Sequence, residues 1–244
     1  MVKTCIIIPC YNESIRLNVD SFTSFLKNNR SNYNLLFVND GSSDDTLKVL
    51  AKIKNNYTEN CFILNLKKNV GKAEAIRQGI LKNSTINTYK YLAYLDADLA
   101  TPFSEILIMV SIAEQNQDLW LILCSRWKRL GSSITRKRSR HLLGRIFATF
   151  ASIILKLPIY DTQCGAKLIR TDVADLIFKE PFITSWLFDI ELIARIRNQN
   201  KKNIHQLLFE HAVMKWQDVG GSKLKLKHMF MVPFQLFKIH RKYN

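Results

Sequence analysis

The chain has 244 residues, 47% hydrophobic and 23% charged, a balance that fits a folded globular protein with a sizeable core and excludes disordered or fibrous classes. A net charge of +16 points to anionic partners, and nucleic acid, anionic lipid and phosphorylated substrates satisfy it alike. The longest apolar stretches, residues 106–113 and 146–155, fall short of the roughly 20 residues that span a bilayer, and no signal-peptide pattern follows Met1, so a cytosolic location is expected.

In chain order, apolar runs at residues 4–8, 35–38, 61–66, 91–95 and 119–124 read as buried parallel strands. Amphipathic stretches at residues 14–28, 44–54, 72–81 and 103–114 read as helices, with Asp44 as an N-cap and Pro102 at or just before the first turn of its helix. This alternation predicts an α/β fold, Rossmann-like and doubly wound, whose mostly parallel sheet carries helices on both faces. No repeat or linker interrupts it, so residues 1–218 read as one domain and residues 219–244 as a basic amphipathic extension. The five cysteines are odd in number and lack any C-x-x-C pair, which fits reduced structural thiols rather than zinc or disulfides.

Ligands of such sheets bind at the carboxyl ends of the strands. There the sequence places Pro9-Cys10-Tyr11-Asn12-Glu13, Asn39-Asp40-Gly41-Ser42-Ser43-Asp44, Asn69-Val70-Gly71-Lys72 and Asp96-Ala97-Asp98. Two carboxylates two residues apart just past a strand offer hard oxygen ligands, suited to a Mg²⁺ or Mn²⁺ that also bridges a diphosphate. Asp40 ends its strand where an acid either accepts hydrogen bonds from a nucleoside or simply belongs to a turn. Asn69-Val70-Gly71-Lys72 is no Walker loop, since Leu66 and Ala73 stand where that motif needs Gly and Ser/Thr, but a glycine turn with a lysine at a helix start still suits phosphate.

These four motifs, in this order, resemble the family-2 glycosyltransferases, which have the GT-A fold. The resemblance implies that Pro9, Tyr11, Glu13 and Asp40 line the nucleobase and ribose pocket of a nucleotide-sugar donor. It implies further that Asp96 contacts the nucleotide-sugar, that Asp98 binds the metal, and that Arg126 lies near the diphosphate or the acceptor. Further along, Asp161-Thr162-Gln163-Cys164-Gly165-Ala166-Lys167-Leu168, Trp186-Leu187-Phe188-Asp189-Ile190-Glu191 and Gly221-Ser222-Lys223-Leu224 look like the dolichyl-phosphate β-glucosyltransferases and related polyprenyl-phosphate glycosyltransferases. That likeness implies inverting transfer of a hexose, glucose from UDP-glucose, onto a polyprenyl or dolichyl phosphate. GDP-mannose as donor, or a saccharide hydroxyl as acceptor, remains open at this level.

Within this reading Asp96, Arg126 and Asp189 are the catalytic candidates, Asp189 as general base or as a group that orients the sugar. Lys72, Gln163 and Lys223 join the donor residues as substrate contacts, and Lys72, Arg126 and Lys223 add positive charge near the leaving diphosphate. The charge excess is concentrated in two acid-free segments, residues 119–160 with nine Lys/Arg and residues 219–244 with six. The first, with the apolar residues 146–155, reads as a cationic surface for a lipid phosphate or as a solvated loop. The second reads as a peripheral element on an anionic membrane surface or as a helix packed on its own domain. No recognition helix or aromatic platform accompanies the charge, so nucleic acid is not expected as a partner.

Overall fold

The computed structural model describes residues 4–84, 88–135, 138–219 and 226–243. It forms two compact units, one from Met1–Leu99 and Ala166–Pro181, the other from Ala100–Gly165 and Phe182–Asn244.

The first unit alternates β1 (Thr4–Cys10), α1 (Val19–Asn29), β2 (Tyr33–Asp40), α2 (Thr46–Asn56), β3 (Cys61–Leu66), α3 (Lys72–Ser84) and β4 (Tyr91–Leu95). Its strands lie in the order β3-β2-β1-β4, all parallel. The later strand β7 (Ala166–Arg170) joins β4 antiparallel, and α6 (Ala174–Phe178) follows it. Every residue of β2 and β4 is buried, as both faces of a helix-covered parallel sheet require. Helix α3 lies close to that sheet at Gly79, where a Cβ would stand 2.7 Å from Ile7 Cγ2 and 3.0 Å from Val38 Cγ2. The buried Lys167 of β7 sits opposite Tyr94, its Nζ 5.3 Å from the ring centroid.

The second unit contains α4 (Phe103–Gln115), β5 (Leu121–Ser125), β6 (Ser133–Thr135), α5 (Arg138–Leu155), α7 (Phe188–Gln199), α8 (Ile204–Leu207), β8 (Leu208–Ala212), β9 (Lys215–Gln217) and α9 (Leu226–Tyr243). Strands β5 and β8 pair in parallel, as do β6 and β9. Buried carboxylates tie these elements together. Glu105 of α4 meets His211 Nε2 at 2.7 Å and accepts the backbone N–H groups of Met214 and Lys215. Glu191 of α7, wholly buried, accepts from Ile183 N, Thr184 N, Arg195 Nη2 and Tyr243 Oη. Arg197 of the same helix donates to Ile154 O and Leu155 O at the end of α5, and to Tyr243 O at the end of α9.

All five strands and all four helices expected from the sequence are present, β3 and β4 with the expected bounds and the others with shifted ends. Helix α1 starts at Val19 rather than at residue 14, because residues 12–14 hydrogen-bond to residues 42–46 instead, and Asn18 caps it through Ser21 N. Asp45 occupies the N-cap of α2 while the carboxylate of Asp44 accepts Thr46 N. All five cysteines are buried and none is in a disulfide. Among the described residues no helix is long and apolar enough to cross a membrane.

Removing the acid of a buried ion pair leaves an uncompensated charge. Glu191→Ala should therefore lower unfolding stability in urea by about 3–5 kcal/mol, since Arg195, Tyr243 and two backbone amides all lose their acceptor.

Candidate active site

At the carboxyl ends of β1 and β2 the chain leaves the sheet, and side chains take over the hydrogen bonds that the ladder supplied. Asn12, in a left-handed conformation (φ 50°), accepts Ser43 N on its Oδ1 while its own N donates to Ser42 Oγ. Glu13 N donates to Thr46 Oγ1, and Ser14 donates through N and Oγ to Asp44. The Asp40 carboxylate accepts Val70 N at 2.7 Å, Gly71 N at 2.9 Å and Asn69 Nδ2 at 3.1 Å, so it holds the loop that starts α3. A nucleoside contact by Asp40 would use the lone pairs these bonds leave.

Gly41 makes this approach possible. At φ +61°, its Cβ would stand 2.3 Å from Lys68 C and 2.4 Å from Asn69 N.

Past β4, Leu99 N bonds back to Asp96 O and Leu99 itself adopts φ 51°. A bulky residue in the left-handed region is strained, and such strain gathers at functional turns. Lys72 Nζ lies 2.5 Å from Asp96 Oδ1, and Arg16 bridges Glu13 and Asp98 at 3.4 Å to each. Pro9 is the penultimate residue of β1, and Tyr11, just past that strand, is 37% exposed. The first unit thus brings Pro9, Tyr11, Glu13, Asp40, Lys72, Asp96 and Asp98 to one sheet edge.

The second unit builds its own constellation at the end of β5. Arg126 makes a two-pronged pair with Asp161 (Nε to Oδ2 2.6 Å, Nη2 to Oδ1 2.8 Å), and its backbone N donates to the same carboxylate. Trp216 covers the guanidinium, 5.3 Å from ring centroid to Cζ. Glu210 accepts Tyr160 N and Asp161 N, and Asp161 accepts Gln163 N. Around this frame Ser125 Oγ, Thr162 Oγ1 and Gln163 Nε2 are buried without a hydrogen-bond partner in the protein. Orphaned buried polar atoms are costly, and their clustering marks a place for a polar ligand or ordered water. Burial acts to raise the Asp161 pKa, but the Arg126 charge and the hydrogen bonds outweigh it and hold it at about 2. Asp189, buried, lies in the first turn of α7, where the helix dipole favours an acid.

The sequence model of glycosyl transferase family 2 matches residues 5–178. The chain belongs to that family. It is a hexosyltransferase, similar to the dolichyl-phosphate beta-glucosyltransferases of Dictyostelium discoideum (32% identity, 90% of this chain and 68% of that one) and Saccharomyces cerevisiae (33%, 91% and 69%). In three dimensions it is similar to glucosyl-3-phosphoglycerate synthase from Mycobacterium tuberculosis, solved with Mn²⁺, UDP-glucose and phosphoglyceric acid. The TM-score is 0.68 at 14% identity, covering 98% of this chain and 80% of that one. The likeness identifies the GT-A fold.

Several residues of these two constellations escaped sequence reasoning. Arg16 carries no motif signal, and its bridge to Asp98 spans 82 positions. Glu210 likewise acts from far along the chain, through Tyr160 N and Asp161 N. Asp161 did leave a signal, as the first acid after the acid-free residues 119–160. Lys223 lies outside the described residues, as do Arg136 and Lys137.

Gly41→Ala should lose about 1–3 kcal/mol more stability than Gly71→Ala on chemical denaturation, because both positions have positive φ but only at Gly41 does the added carbon strike backbone. A carboxyl depressed to about 2 contributes stability that is complete above the unfolded value near 4 and disappears as pH falls through the folded value. Wild type should accordingly exceed Asp161→Asn by about 2 kcal/mol at neutral pH, with the gap closing between about pH 4 and pH 2.

Proposed function

We propose that this glycosyltransferase moves glucose from UDP-glucose onto a polyprenyl or dolichyl phosphate, with inversion at the anomeric carbon and with Mg²⁺ or Mn²⁺ as cofactor. The observation that carries the reading is the match to dolichyl-phosphate beta-glucosyltransferases along nine-tenths of the chain, which takes in both constellations.

In the first unit, Tyr11 and Glu13 at the β1 turn and Asp40 at the β2 turn would line the nucleoside side of the donor. The bridges from Lys72 to Asp96 and from Arg16 to Asp98 hold both carboxylates, and these two cations support a reading in which positive charge meets the departing diphosphate. The donor set fits a divalent metal. Asp98 offers a hard carboxylate with a side chain 24% exposed, and Asp96 lies two residues before it. Such a site suits Mg²⁺ or Mn²⁺ shared with substrate phosphate oxygens and water. Bound there, the ion would supply Lewis-acid stabilisation of the departing diphosphate.

In the second unit, Arg126 is braced by Asp161 and Trp216, so its contribution is a fixed positive charge rather than a mobile one. Ser125, Thr162 and Gln163 present the orphaned hydroxyls and amide that a phosphate or sugar would satisfy. A phosphate monoester is already largely ionised at neutral pH, its second pKa being about 6. Asp189 therefore has little proton to remove from such an acceptor, and orienting the sugar is its main role. Since the acceptor is a lipid, the enzyme works peripherally at the cytosolic face of a membrane.

Thermal shift tests the donor half: with Mn²⁺ present, UDP should raise the melting temperature more than GDP at equal concentration. Asp98→Ala should lose both the metal-dependent part of that shift and glucosyl transfer while keeping its fold. A larger shift with GDP would instead support a mannosyl donor, and full transfer in EDTA would remove the metal. For the acceptor half, replacing Arg136, Lys137, Arg138 and Arg140 with Gln should raise KM for polyprenyl phosphate and leave KM for UDP-glucose nearly unchanged. An unchanged acceptor KM, or equal losses for both substrates, overturns the assignment of this segment.

A further inference from the structure

Helices α5 and α9 are both 18 residues long, and neither contains an Asp or Glu. Each turns small or aliphatic side chains inward: Ala148, Ala151 and Leu155 on α5, and Leu236 and Ile239 on α9, are buried. Each also exposes large apolar side chains outward. Phe150 is 55% exposed, Ile153 65%, Met231 47%, Phe234 52% and Phe237 60%. On α9 the exposed residues recur as Met231, Phe234, Lys238 and Arg241, one face at helical spacing, and Lys238 Nζ sits 4.6 Å from the Phe234 ring centroid. The two helices pack on each other and on α7. Arg197 binds the last carbonyls of both, so their carboxyl ends are pinned at one point.

Exposed apolar side chains gathered on adjoining helices mark an interaction surface rather than a random scatter. Its charge identifies the partner. With no acid on either helix and Lys238, Arg241 and Lys242 exposed beside the aromatics, the surface complements an apolar layer under negative headgroups. Nucleic acid would use the lysines and arginine but would leave Ile153 and Met231 without an apolar partner. Neither helix is long and apolar enough to cross a bilayer, so the geometry is that of an element lying in the interface.

We infer that α5 and α9 form one membrane-docking face. Phe150, Ile153, Met231, Phe234 and Phe237 enter the headgroup–acyl boundary of an anionic bilayer, and the basic residues of α9 meet lipid phosphates. This deepens the lipid-acceptor reading by naming the surface that would bring the enzyme to its acceptor. The binding itself is measured without any acceptor or donor.

The test is co-sedimentation of the full chain with phosphatidylcholine vesicles containing about one-third phosphatidylserine, at low salt and at about 0.5 M salt. Wild type should bind at low salt and release substantially at high salt. Phe234→Ser/Phe237→Ser should lower the partition coefficient at least about tenfold with an unchanged melting temperature. Phe150→Ser/Ile153→Ser should do the same from the other helix and serves if the first pair destabilises the fold. Lys238→Gln/Arg241→Gln should weaken binding at low salt only. Leu176→Ser, an equally exposed apolar position in the first unit, should change nothing.

Failure of wild type to bind would overturn the inference. So would wild-type binding by both apolar pairs, a matching loss in Leu176→Ser, or a single-stranded oligonucleotide displacing the vesicles. Glucosyl transfer to a water-soluble short-chain polyprenyl phosphate separates the two readings. The Phe234→Ser/Phe237→Ser variant should retain it, whereas its absence in wild type would sink the acceptor assignment and leave the vesicle result to stand on its own.

Discussion

Where a parallel strand ends, its backbone amides lose the ladder that satisfied them, and a protein that builds a site there must supply replacements. Asp40 supplies them. Three donors from Asn69, Val70 and Gly71 converge on one buried carboxylate, which sets the start of α3 and therefore the position from which Lys72 reaches Asp96. Gly41 permits the approach by carrying no side chain into the backbone at Lys68 and Asn69. The reciprocal bonds between Asn12 and Ser42–Ser43 join the next turn to the same edge. The first unit's site is thus a row of turns held by short polar side chains, which keeps the aromatic and charged groups available for a ligand.

The second unit uses acids the same way. Glu105, Asp161, Glu191 and Glu210 each collect two or more backbone amides, and three of them also pair with His211, Arg126 or Arg195. Burying a carboxylate is costly unless it is paired and hydrogen-bonded, and each of these is both or nearly so. The arrangement bears on the net charge. Asp40, Glu105, Asp161, Asp189 and Glu191 are withdrawn from the surface while most lysines and arginines stay on it, so the exposed side chains are richer in basic residues than the composition implies.

The same accounting clarifies Arg126. An exposed arginine at the end of a strand would be a flexible anion clamp, whereas one doubly bonded to Asp161 and covered by Trp216 keeps a single orientation. Its fixed charge costs no reorganisation during a reaction, which is how electrostatic stabilisation becomes large. The unsatisfied Ser125, Thr162 and Gln163 atoms beside it are the complementary feature, polar capacity left open where a ligand can complete it.

The sequence alone determined the parts of this protein that depend on local periodicity and on spacing. Strands β1 to β5 and the helices between them follow from runs of buried apolar residues, and the donor motifs follow from their position just past strand ends. The family resemblance, which the comparisons bear out, rested on those same residues. Tertiary structure decided what periodicity does not encode. The turn before α1 replaced a helical reading because residues 12–14 find partners some 30 positions away, which no local pattern shows. The division into two units, with Ala166–Pro181 returning to the first, arises from the antiparallel pairing of β7 with β4. The joining of Glu191, Arg195, Arg197 and Tyr243, which turns two separate basic segments into adjoining helices, depends on side chains far apart in the chain. Hydrophobic pattern is written residue by residue, but an ion pair or an orphaned hydroxyl exists only once the folded chain has placed both of its neighbours.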